Sequence, residues 1–154
     1  MGVGDTVSAG TDPVLLRESY AYHLPITTRW MDNDIYGHVN NVNYYSYFDT
    51  VANSFLIEKG GLDIHEGDVI GYVVHSQCNY LRPISFPEKI EGGFRVIKLG
   101  NSSVTYGIAI FKGGQELACA HGIFTHVFVD RRNERPVSIP QRLRAALECA
   151  ATKV

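Results

Sequence analysis

One long apolar helix, with strand-like sequence on every other side of it, limits what this chain can fold into. Over residues 43–59, Tyr44, Phe48, Val51, Ala52 and Phe55 recur at the spacing of a single helix face. Asn41 or Asn43 can cap its start, and Gly60-Gly61 can end it. A helix this apolar needs a cover. Most of the rest of the chain reads as strands, so the cover is a sheet.

The period changes to two after residue 68. Ile70, Tyr72, Val74, Cys78 and Tyr80 share one parity and read as a strand. Pro83 and Pro87 punctuate, and residues 88–99 form the next strand. Gly100-Asn101 is a hairpin turn, residues 102–112 return, Gly113-Gly114 turns again, and residues 115–130 make the last strand. Before the helix, Tyr20, Tyr22, Leu24 and Ile26 alternate within a first strand over 20–31. Pro136 and Pro140 introduce a short C-terminal helix over 140–151. The expected fold is α+β. A single domain over 20–154 wraps an antiparallel sheet of about five strands around a long central helix, the last four strands forming a meander. Residues 1–19, rich in Gly, Ser, Thr and Asp toward their start, are expected as a flexible N-terminal tail. An open sheet edge and a partly uncovered helix end call for pairing with a second copy, as a homodimer or tetramer.

At 154 residues the chain can bury a core without disulfides or metals. Its net charge of −2, with Lys and Arg scattered, argues against nucleic acid or an anionic membrane as partner. Cys78, Cys119 and Cys149 are widely spaced with no CxxC, which points to a reducing, cytoplasmic setting. No apolar run has the length of a membrane span, and the N-terminus lacks the charge and apolar blocks of a secretory signal. Gly2 and Thr6 match a short myristoylation pattern that also arises by accident.

The chemistry concentrates in residues 30–49, WMDNDIYGHVNNVNYYSYFD. Asp32 and Asp34 stand close enough that ionising both is disfavoured, so one of them is a candidate for a raised pKa. Asp34 can serve as general base toward water or attack a carbonyl directly; alternatively both carboxylates only tether the turn. Gly37 permits a positive φ or a close backbone approach. The amides from Val39 to Asn41 precede the helix and can point at a developing oxyanion, although Asn40 and Asn41 also fit a purely capping role. His38 can act as base, acid or hydrogen-bond donor, or be structural. The histidines show no metal-ligand spacing, and there is no GxSxG, so neither a metal site nor a serine hydrolase is expected, and no cofactor. Arg82, Ser102 and Ser103 can hold a phosphate-bearing ligand or belong to the surface.

These residues resemble single-domain hotdog acyl-CoA thioesterases of the 4-hydroxybenzoyl-CoA thioesterase type. The resemblance rests on WMDNDIYGHVNNVNYYSYFD first, then on YLRPISFPEKI, KLGNSSVTYGIAIF and THVFVDRRNERPVSIP. It implies a substrate that is an acyl-CoA or acyl-carrier-protein thioester, and a site built at a dimer interface. It implies Asp34, three residues before Gly37, as nucleophile or general base. It implies the Asn41 amide as the group that polarises the thioester carbonyl. Asp49 stands where relatives carry an acid that shapes the acyl pocket, and Arg82, Ser102 and Ser103 stand where relatives contact CoA phosphates. The GHVNN segment is also similar to plant acyl-ACP thioesterases with a D-x-N-x-H-V-N-N motif. Asp34 and His38 match that motif, but Tyr36 replaces its Asn.

Two other functions fit the same fold. An enoyl-thioester hydratase resembles a D-x-N-P-x-H pattern, which D-I-Y-G-H departs from by lacking the proline and one residue. A non-catalytic acyl-CoA-binding protein would bind such thioesters without releasing thiol.

Overall fold

The computed structural model describes residues 8–151; Gly2 and Thr6 of the myristoylation pattern lie outside them. Five strands, β1 (Tyr22–Thr27), β2 (Val69–Tyr80), β3 (Lys89–Leu99), β4 (Ser103–Lys112) and β5 (Ala120–Asp130), form one antiparallel sheet. The helices are α1 (Asn41–Glu58), between β1 and β2, and α2 (Gln141–Cys149), after β5.

Helix α1 buries Tyr44, Tyr47, Phe48, Val51, Ala52, Phe55 and Leu56. They join Phe94, Tyr106, Ile108, Ile110, Phe124 and Phe128 from β3, β4 and β5 in one core. Phe55 stacks on Phe94 with ring centroids 4.3 Å apart, and Phe48 meets Phe124 edge-on at 5.6 Å. Truncating a fully buried ring such as Phe48 to Ala costs about 3–5 kcal/mol. Gly92 sets how closely helix and sheet approach, because a Cβ there would overlap the Val51 side chain. This is the hotdog arrangement that the sequence pattern predicts.

The order within the sheet is β1-β3-β4-β5-β2. The expected four-strand meander is therefore three strands, and β2 crosses to the far edge beside β5. A strand parity does not reveal its neighbour, and this pairing joins residues forty or more apart in the chain, from Val69↔Asp130 to Tyr80↔Ala120. A register shift between Val73 and His75 also splits the single parity expected for β2. Ile70 and Tyr72 pair with Val129 and Val127, whereas Cys78 and Tyr80 pair with Gly122 and Ala120 on the helix-covered face.

The first strand is shorter than the expected 20–31. Past Thr27 the chain tightens into a 3₁₀ turn over Trp30–Asp32, because the Asp32 carboxylate accepts the Arg29 backbone N–H at 2.9 Å. The last strand begins at Ala120 rather than 115, since Glu116 and Ala118 hydrogen-bond instead to Arg17 and Leu15. Those bonds belong to a second correction. Part of the expected tail packs on the outer face of the sheet, where Tyr20, Ala109, Phe111 and Ala118 form a small separate cluster. Arg17 adds a 2.7 Å ion pair to Glu91.

Candidate active site

Two turns of unrelated origin meet at the start of α1. Asn40 caps the helix, its Oδ1 accepting the Val42 N–H at 3.0 Å. The cap is thus Asn40, not Asn41 or Asn43. Asn43 instead donates from its side chain to the Asp32 carbonyl at 2.9 Å. Just before the cap, residues 33–39 form a tight loop closed by an Asn33–Val39 bridge. The Asp34 N–H reaches the His38 carbonyl at 2.9 Å, and the Gly37 N–H reaches the Asp34 carbonyl at 3.0 Å. Gly37 has φ +80°, a conformation that side chains disfavour, so a glycine is needed for the loop to close.

The connector after β2 straps this loop in place. Val39 N–H donates to the Ile84 carbonyl at 2.7 Å, Ser85 Oγ to the Gly37 carbonyl at 2.9 Å, and Phe86 N–H to Asn33 Oδ1 at 3.0 Å. A cavity of about 380 Å³ opens between the loop, the helix start and the end of β2. Asp34, His38, Val39, Asn41, Tyr44, Tyr80, Leu81, Arg82 and Pro83 line it.

Four of the residues singled out in the sequence, Asp34, His38, Asn41 and Arg82, therefore share one cavity. Asp34 Oδ1 accepts the Tyr36 N–H at 2.9 Å, which fixes the carboxylate in the loop. Of the three amides expected to be available, two are taken: Val39 by Ile84, and Asn40 by the Asp32 carbonyl at 2.8 Å. The Asn41 N–H has no acceptor among the described residues, and it is the first amide of α1. Helix amides at this position carry partial positive charge toward the cavity. The His38 ring, at the exposed edge, has no hydrogen-bond partner among the described residues. The Arg82 guanidinium is anchored by the Leu117 carbonyl at 2.6 Å.

Asp32 points the other way. It is fully buried, and its carboxylate accepts the Tyr47 hydroxyl at 2.6 Å, the Arg29 N–H and the Arg29 guanidinium. Burial by itself would raise its pKa; the Tyr47 hydroxyl and Arg29 outweigh that and hold it below the usual carboxylate range. The two carboxylates are not a proton-sharing pair built around a raised Asp32.

Asp49, Ser102 and Ser103 are not brought to the cavity within one chain. Asp49 lies eight residues beyond Asn41, about 12 Å up the helix. It faces outward, yet partial desolvation raises its carboxyl pKa. Ser103 pairs with Val127 and Tyr80 with Ala120, seven residues apart along β5, or about 23 Å. Tyr44, Tyr80 and Leu81 are lining residues that the sequence pattern assigned to core or strand. Tyr44 was open to either role in the sequence, pocket lining or core, whereas nothing there marked Tyr80 or Leu81 as lining.

Among the described residues, no helix is long and apolar enough to cross a membrane. Comparison with known proteins agrees with the fold. The YsmA protein of Bacillus subtilis is 27% identical over 89 residues, 58% of this chain, and the chain spans 60% of that relative's length. The crystal structure of the PA5185 protein from Pseudomonas aeruginosa is 59% identical, with a TM-score of 0.89 over 91% of this chain and 98% of that one. A 1,4-dihydroxy-2-naphthoyl-CoA thioesterase from Synechocystis shares the fold at 15% identity, with a TM-score of 0.74 over 82% of this chain and 94% of that one. Residues 28–147, which hold the loop, helix α1 and every strand of the sheet but β1, match the profile of one family, and the chain belongs to that family, the thioesterase-like superfamily.

Proposed function

We propose that the chain is an acyl-CoA thioesterase that hydrolyses a thioester to free acid and CoA. The observation that carries this reading is the meeting of an anchored carboxylate, Asp34, and an acceptor-free helix amide, Asn41, in one cavity. Asp34 takes a proton from water as the water oxygen attacks the thioester carbon. The carbonyl oxygen becomes an oxyanion facing the Asn41 N–H and the positive end of α1. Collapse breaks the C–S bond, and the departing thiolate recovers the proton from Asp34. The same geometry serves direct attack by Asp34, giving a mixed anhydride that water then opens. His38, at the cavity edge, is placed to orient the carbonyl or the water. Arg82 brings positive charge to the rim, suited to the phosphates of CoA.

A second copy completes this reading. β2 is a 12-residue edge strand that leaves Val73 46% and Val74 59% exposed, and Ile35 and Tyr36 stand out from the loop beside it. Such an edge invites pairing with its own kind. A dimer joined there also gives Ser102 and Ser103 a route to the carrier, from the partner's hairpin, that one chain denies them. Val74→Lys is expected to shift a dimer to monomer in sedimentation. Wild-type protein that sediments as a fully active monomer would overturn the dimer.

Hydrolysis itself is tested with an acyl-CoA panel read by free thiol. Release is expected, and Asp34→Asn should lower kcat by about 10²–10⁴-fold while the fold persists. Normal turnover by that variant would remove Asp34 from the mechanism. Saturable acyl-CoA binding without thiol release on any substrate would favour the non-catalytic binder.

A further inference from the structure

The outer face of the sheet, turned away from α1, holds a cation that has no counter-ion. Gly107 of β4 pairs with Arg95 of β3 on one side and with Ile123 of β5 on the other. This row stands on the face opposite the core residues Phe94, Ile108 and Phe124. Arg95 lies over Gly107, where a Cβ would come within 2.8 Å of its Nε. The Tyr20 ring packs against the guanidinium, its centroid 5.1 Å from Cζ. Tyr20 is fixed in turn by its hydroxyl, which donates to the Val14 carbonyl at 2.7 Å. The guanidinium is thus held in one place.

A held charge calls for a partner, and Arg95 lacks one. It makes no ion pair with the described residues, none of its N–H groups has an acceptor among them, and Nε is buried in that state. Unmet donors in a half-buried position are unfavourable. The acids of this face are engaged elsewhere. Glu91 pairs with Arg17 at 2.7 Å, and Asp12 turns Oδ1 to the Val14 N–H at 3.1 Å.

The surroundings describe the missing ligand. Ile97 is 47% exposed, and its δ-methyl lies over Gly107 beside Arg95. Ile123 is a half-buried apolar surface on the far side. His121 stands next along the same face of β5. Burial holds its imidazole below the ordinary His pKa; the Asp12 charge opposes this and the Arg95 charge adds to it. A neutral imidazole can donate one N–H. Gln77 and Asn79 of β2, opposite Ile123 and His121, bring exposed amides. A fixed guanidinium with neutral donors suits a carboxylate, and the isoleucines suit an apolar body attached to it.

We infer that this face is a binding site for a small organic acid, a single carboxylate on an apolar body of a few carbons, held by Arg95 and His121 over Gly107. The site lies across the sheet from α1 and the Asp34 cavity, and it does not depend on the thioesterase reading.

The probes are hexanoate, its uncharged amide hexanamide, and inorganic phosphate. Each is titrated into the full chain while the His121 imidazole resonance, assigned with His121→Gln, is followed by NMR. Hexanoate should shift that resonance saturably and raise the His121 pKa, because a bound carboxylate offsets the Arg95 charge. Hexanamide should leave it in place, and phosphate should bind about tenfold more weakly. Arg95→Met keeps the length of the side chain and removes the unmet donors. It should melt no lower than wild type and weaken hexanoate by about tenfold or more. Equal shifts from hexanoate and hexanamide, or none from either, would overturn the site in wild type alone, with no need for a variant to fold. So would a folded Arg95→Met that binds hexanoate as wild type does. Phosphate that binds as tightly as hexanoate would overturn the organic-acid class. A His121 resonance that moves on dilution of the protein but not with hexanoate would also overturn the site and assign the face to a second copy of the chain.

Discussion

Asp32 and Asp34 are separated by one residue and lie on opposite sides of the same turn. Asp32 is sealed inside, where Tyr47 and Arg29 satisfy its carboxylate. Asp34 lines a cavity, with one oxygen tied to a backbone amide of its own loop. The same functional group is a rivet in one place and a candidate base in the other. What separates them is the direction each side chain takes from a loop that Asn33 and Val39 bridge. The Asp32 backbone joins the two roles, since its carbonyl accepts both the Asn40 N–H and the Asn43 amide at the helix start. Asp32 thus fixes where Asn41 begins the helix without touching the cavity.

Three substitutions break this contrast in order of expected size. Asp34→Asn should cost the most in rate, the 10²–10⁴-fold loss given above, and the least in stability, with Tm shifted by under about 2 °C. A large Tm loss would show that Asp34 is a second rivet. Asp32→Ala should do the reverse. It strands the buried Tyr47 hydroxyl and removes charge-assisted hydrogen bonds, at a cost of about 3 kcal/mol, or about 10 °C in Tm. The Asp32 carboxyl is depressed in the folded state. Its stabilisation is present above the unfolded-state value of 3.8 and disappears as pH falls through the lower folded-state value. Urea titrations across that acid range should show a shallower acid limb in Asp32→Ala than in wild type; identical limbs would remove Asp32 as the source. Asn40→Ala, which removes the cap between the two regions, should cost about 1 kcal/mol and lower kcat only a few-fold by loosening the Asn41 amide. A rate loss as large as that of Asp34→Asn would place Asn40 in the chemistry itself.

The contrast also explains which parts of the molecule were legible in the chain. Asp34, Gly37, His38 and Asn41 fall within eight residues, and a loop entering a helix keeps such neighbours together whatever the rest of the fold does. Helix α1 was legible because its apolar face repeats over several turns, and the β3–β4 hairpin because Gly100 turns it, its N–H on the Ser103 carbonyl at 2.8 Å. The fate of Asp32 was not legible, because Tyr47 lies fifteen residues away on a helix face whose rotation only packing sets. Ser102 and Ser103 carried a pattern that fits phosphate, but a pattern does not say which end of the sheet a hairpin occupies.

Local rules therefore determined the elements, the loop chemistry and the family to which they belong, because turns, caps and periodicity act over a few residues. Tertiary structure decided the rest: β2 beside β5 with its bulge, residues 12–20 against the outer face, the Ile84–Phe86 strap on the loop before α1, and the Tyr44–Tyr80 ring contact. Each of these joins segments distant in sequence. Such contacts are chosen by burial and by which hydrogen-bonding groups remain to be satisfied once the local structure has formed, and no short stretch of residues contains that information.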